Sequence, residues 1–290
     1  MKNKPTIMTV LSRRLAPVLI VLAALAVLIP WSAQASTITT FDVPGAALTA
    51  GQGTNDSGNI VGFYDVATSS HGFILSKGAF TLFDVPGRTN TAGRGINARG
   101  DIVGEYDDGV ATHGFLRSGS SFTTIDVPGA ADTIPNGINS SGAIVGFWDD
   151  SVTTHGFLRS GNSFTTIDYP GATLTVTYGI NDKGDIVGAY FDSAFVSHGF
   201  LLSKNNVLSS IEPAGAVTSQ ARGISSSGDI VGTFAGADLV THGFRFSKGV
   251  FTANDVPGAT ATRNRGINAR GDISGNYDDG LGTHGFSLTK

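Results

Sequence analysis

The chain has no cysteine, few charges and a deficit of cations, and each shortage closes off a class of explanation. Without a single cysteine in 290 residues, neither a disulfide framework nor thiolate metal chemistry is open, so stability must come from burial and backbone pairing. Lys and Arg total 19 against 23 Asp and Glu. Four of the cations, Lys2, Lys4, Arg13 and Arg14, precede residue 36, leaving 15 against 23 and a net charge of −8 for the remainder. Such a chain is not a general binder of nucleic acid or of anionic membranes. Methionine is almost absent too: Met1 and Met8 are the only two, and of two tryptophans Trp31 also lies in the leading segment, leaving Trp148. Nor does any stretch after residue 35 keep a 3.6-residue apolar period, and 40 glycines are too many for helices, so an all-β chain is expected.

Residues 1–35 read as an export signal: basic residues, the apolar run LAPVLIVLAALAVLIP, then Ala33-Gln34-Ala35 as a small-residue cleavage site. Pro17 and Pro30 bracket about a dozen uninterrupted apolar residues, fewer than the ~20 that span a bilayer. Removal after Ala35 is expected, with the product, residues 36–290, periplasmic or extracellular, monomeric and not inserted in a membrane.

What remains is a repeat. The acid of the recurring segment FTTIDVPG falls at Asp42, Asp84, Asp126, Asp168, Glu212 and Asp255, a period of about 42 residues. All six histidines, His71, His113, His155, His198, His242 and His284, keep the same beat, and each is followed by Gly-Phe. Within one period four short strands are expected: one ending in Gly-Ile-Asn (95–97), one in Asp-Ile-Val-Gly plus an aromatic (101–106), one at 112–117 and one in the FTTIDVPG segment (122–129). Gly100 supplies the positive φ of the first hairpin turn. Four strands in about 42 residues, six times over, predict a six-bladed β-propeller. The segment 36–45 is a lone fourth strand and the chain stops after a third, so the N-terminal strand is expected to complete the last blade and close the ring, removing two sheet edges.

The DVPGA, GIN..G.IVG and HGF elements resemble the bacterial extracellular repeats called HAF, over essentially all of residues 36–290. That resemblance implies a secreted repeat protein and brings no catalytic residues with it. The fifth repeat departs furthest, with Glu212-Pro213-Ala214-Gly215 and with Ser225 in place of Asn.

Six equivalent histidines sit a whole blade apart and do not converge as metal ligands must. Each is instead expected to pair with the aspartate six residues earlier (Asp65 with His71, Asp107 with His113, Asp149 with His155, Asp192 with His198, Asp278 with His284), tying the loop between second and third strands. These loops also carry Asp108, Asp150, Asp238 and Asp279 and no cation, while Lys and Arg occupy the opposite turns. No cofactor is expected. Calcium is the one ion that the acidic face would suit, although no D-x-[DN]-x-[DN]-G loop is present. Arg99-Gly100-Asp101 and Arg270-Gly271-Asp272 spell an adhesion tripeptide but are the repeat's hairpin turns.

A ligand site has to break the symmetry that the scaffold keeps. The residue before the first-strand glycine does so: Gln52, Arg94, Asn136, Tyr178, Arg222 and Arg265. With the first strand innermost, these six are expected at the mouth of a central channel, where arginines, amides and a tyrosine suit a polyhydroxyl or anionic ligand such as a glycan. The function expected is therefore a secreted, non-enzymatic binding or surface-interaction module for a glycan or an extracellular protein. A polysaccharide-acting hydrolase or lyase, or a structural envelope protein, are the alternatives; no asymmetric Ser/His/Asp or paired-carboxylate set supports an enzyme.

Overall fold

Strands form where β-branched and aromatic residues alternate and stop where Pro-Gly or an Asn-x-x-Gly turn reverses the chain. The computed structural model describes residues 36–289; the expected signal segment, 1–35, lies outside them. Twenty-four strands and no helix occur among the described residues.

The second repeat shows the unit. Asn90–Ile96, Ile102–Asp107, Thr112–Ser118 and Ser121–Ile125 pair antiparallel in sequence order. The turn between the first two closes as predicted, with Gly100 at φ 85° and its N–H donating to Asn97 O at 3.1 Å. Repeats two to five each make one such four-stranded sheet. The remaining eight strands form two more sets of four, joined by a single parallel bridge, Leu48 to Thr283. One set is the first repeat. The other comprises Ala261–Ile267, Ile273–Asp278 and Thr283–Thr289, and its fourth member is the N-terminal strand Thr37–Phe41, in register from Thr37 opposite Thr289 to Phe41 opposite Gly285.

Packing explains the motif. The phenylalanine of every His-Gly-Phe (Phe73, Phe115, Phe157, Phe200, Phe244 and Phe286) is at most 1% exposed and fills the space between sheets, where each large ring contributes several kcal/mol of burial, on the order of 3. The preceding glycine is required because a Cβ at Gly114 would lie 2.5 Å from Ile125 O and 2.6 Å from Pro135 Cγ.

The asparagine of Gly-Ile-Asn does two jobs. Asn97 Oδ1 accepts from the N–H groups of Arg99 and Asp101, both at 3.0 Å, fixing its own turn. Its Nδ2 donates at 3.3 Å to Asn139 O in the next sheet. The same link runs from Asn55 to Asn97, Asn139 to Asn181, Asn181 to Ser225 and Asn268 to Asn55. Ser225 has no amide to send onward, and it is the residue at which the repeat departs. Asn97→Ala should cost about 2 kcal/mol and Asn97→Ser about half of that, because a hydroxyl can hold the turn but lacks the amide's link to the next sheet. Urea unfolding measures both; equal losses would reject the inter-sheet half of this role.

Candidate functional site

In each first strand the pairing register slips by one residue, between Gly51 and Gly53, Gly93 and Gly95, Pro135 and Gly137, Thr177 and Gly179, Ala221 and Gly223, and Asn264 and Gly266. The unpaired residues are Gln52, Arg94, Asn136, Tyr178, Arg222 and Arg265, the six positions singled out by their variability. A β-bulge bends its strand and re-aims the extra side chain. Here six bulges aim three arginines, two amides and a tyrosine into one cavity, which all six residues line together.

The glycine after each bulge lets neighbouring sheets approach. A Cβ at Gly95 would stand 2.7 Å from Asn136 O and 3.0 Å from Gly137 Cα, and corresponding contacts run from Gly137 to Tyr178 O, Gly179 to Arg222 O, Gly223 to Arg265 O, Gly266 to Gln52 O and Gly53 to Arg94 O. A buried collar of Ile96, Ile138, Ile180, Ile224 and Ile267 borders the cavity and separates it from a second cavity lined by the asparagine turns. The first cavity is narrow, about 90 Å³.

Its electrostatics are lopsided. Arg94 is held by Glu105 through Nε at 2.8 Å and a second, short contact; burial works against its charge, yet the carboxylate outweighs it and the guanidinium stays protonated more firmly than usual. Arg222 lies 3.8 Å over the Tyr178 ring and donates to Gln220 Oε1. Among the described residues no carboxylate pairs with it, and burial lowers its pKa. Arg265 donates to Asn276 Oδ1, at 3.3 Å, and among the described residues makes no carboxylate contact. Burial first, then the neighbouring charges of Arg222 and Arg94, push its pKa well down. Asn136 donates to Thr177 O at 3.0 Å, and Gln52 is 8% exposed.

The histidine pairs need correction. Asp65 accepts from Ser70, Asp107 from the Gly109 N–H, Asp149 from Thr154, and Asp278 from Thr283 and Arg263, so the pairs expected with His71, His113, His155 and His284 do not form. Strand register is the cause. Tyr106 stands opposite His113 and Asp107 opposite Thr112, and alternation sends Asp107 to the other face of the sheet. Each imidazole instead packs against the second-strand aromatic, stacked as His155 is on Trp148 at 4.7 Å or tilted as His284 is to Tyr277, and its Nδ1 meets the fourth-strand acid: Asp84, Asp126, Asp168, Glu212 and Asp255 in turn, and Asp42 for His284, all at 2.8–3.0 Å. In five repeats Nε2 faces a loop carboxylate, as His113 faces Asp108 at 3.2 Å. Asp192 with His198 is the one expected pair that forms, at 3.4 Å, because the longer fourth-repeat loop makes Asp192 the residue beyond the strand. The offset between histidine and the following fourth-strand acid, 13 residues in four repeats and 14 between His198 and Glu212, was the available signal.

These contacts set a pH dependence. At His113 and His155 partial burial opposes the charge and the two carboxylates outweigh it; at His242 and His284 the hydrogen bond to Asp255 or Asp42 leads. All four are held above the usual imidazole value. Loop aspartates Asp108, Asp150, Asp192, Asp238 and Asp279 are lowered, chiefly by backbone N–H donors in their own turns. The histidine contribution is complete below about pH 6.5 and is lost as pH rises through the raised values; the aspartate contribution is complete above about pH 4 and is lost as pH falls. The melting temperature should therefore peak between about pH 5 and 6 and decline by pH 9. His113→Gln with His155→Gln should flatten the alkaline limb; an unchanged slope in thermal melts would reject the assignment.

No family model matches the chain, and no curated protein matches it. Solved structures do. The lectin of Aleuria aurantia, a six-bladed β-propeller with a fucose recognition mode, is 13% identical with a TM-score of 0.52 over 86% of this chain and 93% of its own. SapL1 lectin in complex with α-methyl fucoside is 9% identical, TM-score 0.53, over 81% and 90%. Virginiamycin B lyase of Staphylococcus aureus, a catalytically inactive variant with quinupristin, is 11% identical, TM-score 0.51, over 88% and 100%. At such identities the likeness speaks for the fold, that of the β-propellers.

Proposed function

We propose that the chain is a secreted, non-enzymatic glycan-binding module of HAF-type repeats, built as a six-bladed β-propeller whose ring is closed by the N-terminal strand. The observation that carries the functional reading is the set of six bulges: an otherwise repeated frame directs three arginines, two amides and a tyrosine into one cavity. Ring closure is supported by the pairing of Thr37–Phe41 with Thr283–Thr289, by Asp42 on His284 and by the return of the inner contacts from Gly266 to Gln52. Export is supported by the composition of residues 1–35.

Two of the neighbours in fold are lectins whose names or ligands point to fucose, which favours a saccharide for the channel. The lyase among them favours an enzyme as the second reading. Catalysis of that kind needs an acid or base free to act on the substrate, whereas the carboxylates beside the channel arginines, Glu105 and Asp278, are each bound to an arginine. The test is a glycan array probed with the purified protein, with and without calcium. Saccharide hits are expected. A blank array under both conditions would contradict the glycan reading and favour a protein partner or a structural role.

A further inference from the structure

The bulge is not the only place where the repeats disagree. Two residues before it, the side chain and its cross-strand partner are apolar in the third and fourth repeats, Ile134 with Phe147 and Val176 with Ala189. In the fifth and sixth repeats the same pair is Gln220 with Thr233 and Arg263 with Asn276. One wall of the channel has thus exchanged hydrocarbon for donors at two extra positions, and a cavity of about 190 Å³ lies there, sharing Arg222 and Arg265 with the channel.

Charge on this wall is unbalanced. Three guanidiniums, Arg222, Arg263 and Arg265, line the cavity, and among the described residues no carboxylate does; Asp278 holds Arg263 at 2.8 Å. Arg222 is kept in place by the Tyr178 ring beneath it, and its Nε is buried without an acceptor. A buried donor without a partner costs free energy, and three like charges repel, so the wall is at a deficit that an anion would relieve. The rest of the lining is the Gln220 amide, the hydroxyls of Ser197, Thr218, Thr233 and Thr241, and Phe234 as an apolar face. A cavity of this size holds on the order of ten waters, suiting one sugar ring with its acid group.

We infer that this off-axis cavity between the fifth and sixth repeats is a subsite for an acidic saccharide, a sugar bearing a carboxylate such as a uronic acid. Arg222 and Arg265 donate to the carboxylate, the hydroxyls of Thr218 and Thr241 meet the ring hydroxyls, and Phe234 covers one ring face. The inference rests on the glycan reading and narrows it to ligands with a negative charge.

Calorimetric titration of the purified protein with trigalacturonic acid, with its methyl ester and with inorganic phosphate tests this. The acid is expected to bind about tenfold or more tightly than the ester, since charge-assisted hydrogen bonds are the strong ones. Added salt should weaken the acid and leave the ester unmoved. Arg222→Gln with Arg265→Gln should remove the preference for the acid, while Arg159→Gln, on the opposite turns, keeps it. The acid-to-ester comparison needs no variant, so misfolding of the double variant does not spare the inference. Equal binding of acid and ester, or binding of neutral saccharides alone, overturns the acidic subsite and leaves the glycan reading standing. Phosphate matching the trisaccharide in affinity would reveal a simple anion site and overturn it as well. Array hits absent for every saccharide, acidic or neutral, bring down both.

Discussion

Gly104→Ala is expected to cost about 4 kcal/mol or more and to lower the melting temperature by roughly 10 °C. Gly104 stands opposite Gly93, next to the bulge at Arg94, and an added Cβ would overlap the Ala92 carbonyl oxygen and come within 2.9 Å of the Phe115 ring. Neither can withdraw: the carbonyl belongs to the bulged strand, and the Phe115 ring is enclosed in the core, 1% exposed. The same overlap recurs at Gly62, Gly146, Gly188, Gly232 and Gly275, so the glycine of every Ile-Val-Gly or Ile-Ser-Gly is a condition of the bulge. Gly100→Ala is the comparison. Its φ of 85° is unfavourable for alanine but nothing lies within 4 Å of the added atom, so the loss should be about 1 kcal/mol. Denaturant unfolding of the two variants checks the difference; similar losses would mean that the close approach is not what the glycine serves.

The second large effect concerns the N-terminal strand. Removing residues 36–42 takes away five paired residues against Thr283–Thr289, the Asp42 carboxylate on His284 and the Phe41 ring that covers Gly285. Loss of a whole strand leaves an edge exposed and uncovers the core around Phe286. A drop in melting temperature of about 10 °C or more is expected, with hydrogen exchange accelerated in Thr283–Thr289 and Ile273–Asp278 first and in the second and third repeats least. Exchange that is unchanged in Thr283–Thr289 would contradict closure by this strand.

Much of this frame was legible because it is repeated. A glycine or a phenylalanine that returns about every 42 residues advertises a strand or a core position six times, an asparagine advertises a turn five times, and period-two alternation gave the strand type. What stayed hidden depended on register. Whether Asp107 or Asp126 reaches His113 turns on which face of the sheet each side chain takes, and a one-residue difference reverses the answer; only the fourth-repeat loop, longer by one residue, made the sequence spacing come out right. The bulge was invisible for a similar reason: nothing in Gly93-Arg94-Gly95 states that Arg94 lacks a cross-strand partner. The six variable residues were nonetheless found, because departure from the repeat is itself a signal. Gln220 and Arg263 show the same departure two residues upstream, where alternation alone suggests an apolar inner face throughout.

The most direct test of the whole account makes the channel as symmetric as its frame. Arg94→Gln, Asn136→Gln, Tyr178→Gln, Arg222→Gln and Arg265→Gln together give six identical bulge residues with Gln52. Glycan-array binding of this variant, measured beside its circular dichroism, should show the β fold kept and every hit of the parent protein lost. Hits retained at the parent's strength on a folded variant would contradict the assignment of binding to the bulged residues.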